Sequence, residues 1–544
     1  LSKHRVRLLS LIHPFLFASS SVLSLMAVNR AESGLLFMRA WIFSMAGVVV
    51  VLILAWLWLG DLGRAGLLTS LSLILISSFG HLSNVLQGRL ALPPGAVQAG
   101  LLLAGGIAWL AWARWLRRGS PPVPRLAAYF FWVALLMNLF PGASLLSFAQ
   151  QRRNVRPRLE AYVASLPQRA GLDGLLQSWP DPEAPGPDVY LIVLDAYARH
   201  DILQELYGLD NSPFLAALEG MGFKVVEGSR ANYPDTSLSM ASTLNMAHLV
   251  DLGSALDPAD GVVEKSLIME AARQLVDRNA LMAFFKARGY RVVGYDGGYG
   301  EANTALNDAF IQPPGLQDAD SMQVALEVML LDTTIGRLLM PYLERQNSPL
   351  EQLFEAHRQR ILFTLTHLPE AARGQEPIFV YAHIVAPHVP FVFGPQGEPL
   401  AVEDPFTLMD AHPGDPQNVQ RYADQVRFVS SRILVAVEQI LAASDRPPVI
   451  VIMGDHGGKV FGGPEPSPQE RARLLYPNLL ALYLPGVEAA PVPENLTLVN
   501  VFRLVLNLYF GADLEMLPDI SYAWQAVPGG VRLVEACQVY GHCP

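Results

Sequence analysis

PDVYLIVLD, residues 187–195, decides the fold. An apolar run rich in Val, Ile and Leu stops on a single carboxylate, Asp195. Apolar residues on both faces predict a strand in the middle of a covered sheet. A carboxylate at the C-terminal end of such a strand stands where open α/β sheets keep their ligands. The same grammar returns far downstream, where the apolar run 449–453 is followed by Gly454, Asp455, His456, Gly457 and Gly458.

Around these two segments the composition is uneven. Hydrophobic residues make up 51% of the 544 and charged residues 16%, with a mean hydropathy of +0.28. Of 39 Lys+Arg and 49 Asp+Glu, residues 1–150 hold 11 and 2, leaving 28 and 47 for the other 394 residues. A basic, apolar third joined to an acidic two-thirds reads as a membrane module plus a water-soluble module. It also argues against nucleic acid as a partner. Leu1 rather than Met opens the chain, which fits an alternative start codon or a trimmed end.

Five segments, at 8–28, 35–59, 66–86, 96–115 and 126–145, are apolar over the roughly 20 residues that a bilayer-spanning helix needs. Lys3, Arg5 and Arg7 precede the first, and Arg114, Arg117, Arg118 and Arg125 fall in the fourth connection. The positive-inside rule then puts the N-terminus in the cytoplasm and the acidic part outside. Arg152, Arg153, Arg156 and Arg158 follow the last span and suit anionic headgroups. Gly80, His81, Ser83 and Asn84 in the third segment are either a frayed helix end or a headgroup contact.

Residues 151–186 read as a juxtamembrane helix and a Pro-rich linker, leaving 187–515 as the water-soluble domain and 516–544 as a C-terminal tail. Strand candidates at 189–194, 222–226, 291–295, 378–384 and 449–453 alternate with helix candidates at 212–220, 237–247, 280–288, 350–366, 418–443 and 498–508. That alternation predicts an α/β sandwich around a mostly parallel sheet. Residues 302–350 read as an insertion over the site. Cys537 and Cys543 could close a short loop in an oxidising compartment.

Three constellations carry chemistry. Asp455 and His456 are ordinary ligands of zinc or manganese, although DHG could also be a tight turn whose polar groups satisfy backbone. In NYPDTSLSMAS, residues 232–242, Pro234 stops any earlier helix and puts Thr236 at an N-cap or first turn. There the free N–H groups and dipole favour an alkoxide or anion, but Thr236 or Asp235 could serve as a cap alone. His383 and His388 lie where the strand 378–384 runs into a Pro-punctuated loop. Either could neutralise an anion or protonate a leaving oxygen, and either could be structural.

VYLIVLDAYAR, NYPDTSLSMAS, HIVAPHVPF and VIMGDHGG, in this order, resemble the sulfatase-like branch of the alkaline phosphatase superfamily. The five spans before them resemble lipoteichoic acid synthases and lipid A phosphoethanolamine transferases. The resemblance implies one divalent metal ion, zinc or manganese, held by Asp195, Thr236, Asp455 and His456, with Thr236 as nucleophile. It implies that His388 contacts the transferred group, with His383 and Asn232 as substrate-binding candidates. The Cys/Ser-x-Pro-x-Arg motif of true sulfatases is missing, which speaks against sulfate-ester hydrolysis. Only His542 follows His456, which favours one metal over two. Several disulfides are usual in phosphoethanolamine transferases, and two cysteines do not supply them.

The expected function is a transferase moving a phospho-headgroup from a phospholipid donor to an envelope glycan or lipid acceptor. It would work through a phospho-threonine at the outer face of a bacterial cytoplasmic membrane. A sulfatase-like hydrolase, foremost a phosphodiesterase, and a non-catalytic membrane scaffold are the alternatives.

Overall fold

The computed structural model describes residues 3–30, 34–90, 92–172, 186–298, 304–316, 318–343, 349–372, 376–400, 415–487 and 491–543. Most of the expected Pro-rich linker lies outside these. The chain divides into two compact units, 1–153 with 319–352 and 402–405, and 154–318 with 353–401 and 406–544.

Among the described residues five helices are long and apolar enough to cross a membrane, α1 (Lys3–Val28), α2 (Met38–Leu59), α3 (Leu62–Leu90), α4 (Pro94–Arg118) and α5 (Val123–Ala170), and the first unit holds α1–α4 and α5 as far as Arg153. The expected fifth span and juxtamembrane helix are one continuous element, α5, because no breaker interrupts the apolar-to-basic transition near residue 150. Val50, Leu54 and Leu57 on α2, and Leu103, Ile107 and Leu110 on α4, follow helical spacing and are exposed. Water would penalise such apolar stripes, whereas lipid matches them. Small and aliphatic residues close the inside, with Ala55, Ala65, Leu67, Leu68, Ala113 and Leu116 in one cluster. Some polar groups of the bundle pair across helices, as in Trp109 Nε1 to Ser72 Oγ at 2.9 Å and Asn138 Nδ2 to the Leu16 carbonyl at 2.8 Å.

The second unit holds a seven-stranded sheet in the order β2-β7-β6-β1-β5-β3-β4. The strands are β1 (Val189–Leu194), β2 (Phe223–Val225), β3 (Arg291–Tyr295), β4 (Ala309–Ile311), β5 (Ile378–Ile384), β6 (Val449–Met453) and β7 (Leu480–Tyr483). β1 is central and every residue in it is buried. It pairs in parallel with β5 and β6, and only β7 runs against its neighbours. On one face Ile192 and Leu194 pack with Ile202, Leu218, Ile361 and Ile433 from surrounding helices. On the other, Phe379 stacks on Phe285 with ring centroids 4.6 Å apart and meets Phe502 at 6.1 Å. Both faces being covered explains why the strands read as unbroken apolar runs.

Register positions the site. Val193 lies opposite both His383 on β5 and Met453 on β6. Asp195 and Asp455 therefore leave the sheet together, two residues beyond that row, on adjacent strands. The expected C-terminal tail is instead a hairpin, β8 (Tyr522–Val527) and β9 (Gly530–Glu535), followed by a short helix. Cys537 and Cys543 are bonded to each other.

Candidate metal centre

Asp195 follows β1 directly, and Ala196 after it is held at φ 62°, a left-handed conformation costly for a residue with a side chain. Both backbone groups of Ala196 are used. Its N–H donates to Asp455 Oδ1 at 2.9 Å and its carbonyl accepts from the Tyr422 hydroxyl at 2.7 Å. Gly454 completes the turn on β6, because any Cβ there would collide with the Tyr197 carbonyl.

Thr236 is the first residue of the helix Thr236–Asn245, with Asp235 at the N-cap place. The helix is tied to the metal-side turn by Ser239 Oγ, which donates to the Asp455 carbonyl at 2.6 Å. Thr236 Oγ1 lies 3.1 Å from His456 Nε2. His456 Nδ1 donates to the Gly457 carbonyl at 2.9 Å, which turns the lone pair of Nε2 toward the site. That same Nε2 is 3.4 Å from Asp455 Oδ2 and 3.7 Å from Asp195 Oδ1.

The carboxylates divide their oxygens in the same way. Asp455 Oδ1 takes the Ala196 amide, and Asp195 Oδ2 lies 3.3 Å from His383 Nε2. Asp455 Oδ2 and Asp195 Oδ1 are buried without a hydrogen-bond partner. Leaving two such oxygens unpaired costs several kcal/mol unless a cation meets them. Asp195, Asp455 and His456 offer one ligand atom each within 4.8 Å of one another. Two unpaired carboxylate oxygens and an imidazole nitrogen fit one divalent ion such as zinc or manganese.

Burial opposes the charge of Asp195, but His388, His383 and His456 outweigh it and hold its carboxyl below the usual carboxylate range. Burial pushes His456 down, against the pull of Asp455. His388 follows Asp195 closely, its N–H donating to the Asp195 carbonyl at 3.0 Å. Its Nδ1 donates to the Val389 carbonyl at 2.7 Å, and its ring centroid is 6.4 Å from that of His456.

The structure thus brings Asp195, Thr236, Asp455, His456, His383 and His388 together. Asn232 does not join them. Its Nδ2 donates to the Ile520 carbonyl and its Oδ1 accepts from the Val499 N–H, both at 2.8 Å, so it fastens the loop before Thr236 to the C-terminal segment. Sequence reasoning missed that segment's part. Tyr522 N–H donates to the Asn232 carbonyl at 2.8 Å, Ser521 Oγ to the Ala231 carbonyl at 2.8 Å, and Trp524 Nε1 to Asp235 Oδ2. It also missed Asp296, which ends β3 as Asp195 ends β1. Asp296 Oδ2 accepts from Arg360 Nε at 2.9 Å and Oδ1 from the Gly298 N–H at 2.7 Å. His357, one turn from Arg360, is buried, which pushes it down to about 3.

A mostly parallel α/β sheet with paired carboxylates at adjacent strand ends, and a hydroxyl on a helix N-terminus against His456, is an arrangement able to hold a divalent ion beside a nucleophile. The Sulfatase family model matches residues 187–481, over half of the chain, and the chain belongs to this family of the alkaline phosphatase superfamily. No curated protein matches the sequence. Similar solved structures include the C-terminal periplasmic domain of EptC from Escherichia coli in complex with Zn, at 14% identity and TM-score 0.39, covering 67% of this chain and 98% of that one. Another is the lipooligosaccharide phosphoethanolamine transferase EptA from Neisseria meningitidis, at 12% and 0.36, covering 93% and 95%. The lipoteichoic acid synthase LtaP from Listeria monocytogenes is similar at 13% and 0.34, covering 64% and 77%.

Proposed function

We propose that this chain is a membrane-anchored, metal-dependent transferase that moves a phospho-headgroup, of phosphoglycerol or phosphoethanolamine type, from a phospholipid to a surface glycan or lipid. The observation that carries this reading is Thr236 Oγ1, 3.1 Å from His456 Nε2 on the first turn of its helix, in a chain with five membrane-length helices among the described residues. A divalent ion held by Asp195, Asp455 and His456, beside Thr236, would supply Lewis-acid polarisation and lower the hydroxyl pKa.

The deprotonated Thr236 Oγ1 attacks the phosphorus, forming the Oγ1–P bond while the bond to the diacylglycerol oxygen breaks. His388 donates the proton that this oxygen needs to leave. The Val389 carbonyl fixes Nδ1 as a donor, so Nε2 is the nitrogen that exchanges the proton. An acceptor hydroxyl then returns a proton to His388 and attacks the phospho-threonine, releasing Thr236. Free N–H groups at the start of the helix Thr236–Asn245 favour the negative phosphoryl oxygens. His383 keeps Asp195 oriented through the 3.3 Å contact.

The basic residues of the N-terminus and fourth connection support a cytoplasmic N-terminus and an extracytoplasmic catalytic domain in a bacterial inner membrane. The Cys537–Cys543 bond agrees with an oxidising compartment. The test is mass spectrometry of the purified chain after incubation with headgroup-labelled phospholipid. A label on Thr236, absent in Thr236→Ala together with turnover, is expected. No adduct, with turnover unchanged in Thr236→Ala, sinks the mechanism. Product that forms equally without any glycan or lipid acceptor assigns the chain to hydrolysis instead.

A further inference from the structure

Residues 319–352 interrupt the sequence of the catalytic domain yet pack with the membrane helices as part of the first unit. They comprise the helix Asp318–Thr333, the turn Ile335–Leu339 and the short helix Met340–Leu343. Leu326 is buried against Val22 of α1 and Phe37 just before α2, with Leu25, Met26 and Leu330 around them. Glu327 accepts two hydrogen bonds from Arg39, from Nε and Nη2, each 2.6 Å. Arg337 Nη1 donates to Asn84 Oδ1 of α3 at 2.6 Å, while its Nε and Nη2 hold Asp332. At Gly80 α3 meets the backbone of Asp332 and Thr333 so closely that no side chain fits. The polar stretch around Gly80 and Asn84 is therefore a seat for this segment.

The seat has a definite level. Arg64, near the start of α3, donates to the Leu116 carbonyl at the end of α4 and marks one end of the bundle. A hydrocarbon core of about 30 Å takes roughly 20 residues of helix, which runs from Arg64 to Asn84. The contacts to Asn84, to the last turns of α1 and to the first turn of α2 thus lie where the opposite face of the core gives way to headgroups. At that level the segment exposes Met329 (42%), Leu339 (53%) and Tyr342 (60%), and the helix ends beside it expose Val28, Leu35 and Met38. Large apolar side chains with a tyrosine among them are the composition of a membrane-interface belt.

We propose that residues 324–342 form an in-plane membrane-interface element whose exposed Met329, Leu339 and Tyr342 are covered by phospholipid of the adjoining leaflet. This rests on the reading of α1–α5 as membrane-spanning. The charged pairs Arg39–Glu327 and Arg337–Asp332 keep the polar side of the segment satisfied at the bundle, which leaves the apolar side chains to the lipid.

The test uses the full chain in nanodiscs of phosphatidylglycerol and phosphatidylethanolamine, with an environment-sensitive fluorophore on Leu339→Cys. Leu57→Cys on α2 reports the span, and Glu219→Cys on the second unit reports water. Lipids carrying a nitroxide high on the acyl chain should quench the Leu339 label about twofold or more beyond the Glu219 label. A Leu339 label that behaves like Glu219 while Leu57 is quenched overturns the proposal and leaves the spanning reading intact. No quenching at Leu57 overturns both. A Leu339 signal that changes between discs holding one chain and two assigns the face to a second copy, which also overturns it.

Discussion

Two strand ends of one sheet, β1 and β3, each finish on a buried carboxylate and put it to opposite use. Asp296 after β3 is matched oxygen for oxygen, by the Arg360 guanidinium and the Gly298 N–H. Asp195 after β1 has one oxygen against His383 and the other without a hydrogen-bond partner, and Asp455 after β6, with one oxygen on the Ala196 N–H, repeats that pattern. The position of a carboxylate on a strand end is common to both. What separates a structural group from a ligand is whether its second oxygen is answered from within the chain.

The largest effect should come from Asp455→Asn, which keeps the shape and the Ala196 hydrogen bond but removes the charge. Turnover should fall on the order of 10³-fold, with bound metal lost in elemental analysis. Retention of metal and rate would break the distinction between the two strand ends. At the other end, Arg360→Ala leaves Asp296 buried without its cation and should destabilise the fold by about 3–5 kcal/mol. Elemental analysis of the surviving folded fraction should still find the metal. Next in size is His383→Ala, which strips Asp195 of its imidazole contact. Metal affinity, by competition with a chelator, should weaken about 10–100-fold while thermal stability of the metal-saturated protein changes little.

The smallest effect belongs to His357, whose charged state feels burial first, then Arg360 and His388 against it and Asp195 in its favour. Its folded pKa of about 3 lies below the usual 6.5. As pH falls from 6.5 toward 3 the unfolded chain binds a proton that the folded chain refuses, so stability declines across that window. His357→Gln should remove this slope, a difference of about 1.4 kcal/mol one pH unit below 6.5, read from denaturation in detergent at several pH values.

The legible parts of the sequence were those whose signal is local. β1, β5 and β6 are apolar runs bounded by polar residues, and each was readable because both its faces are covered. Thr236 was readable as a helix start because Pro234 ends whatever precedes it. β4 has three residues and β7 four, too short for any period to emerge, and β7 also reverses the direction that the alternating pattern implied. The hairpin β8–β9 reads in sequence as a tail although Gly529 and Gly530 mark its turn, since neither strand is apolar enough to demand burial. Asp296 shows the limit most clearly. Its grammar is that of Asp195, and only the fold reveals Arg360 arriving from 64 positions away. Asp235 likewise occupies the N-cap place, but its side chain turns to Trp524 instead of the helix.

The clamp on the loop before Thr236 also sets an order in time. A chain made from its N-terminus has its membrane helices, its sheet and its three candidate ligands translated before residues 520–524 exist. Asn232 Nδ2, the Ala231 carbonyl and Asp235 Oδ2 meet Ile520, Ser521 and Trp524 only when that stretch arrives. A product of early termination could therefore carry an assembled ligand set with its nucleophile loop unfastened. Loss of the chain from residue 520 onward would then silence the nascent enzyme without emptying it of metal.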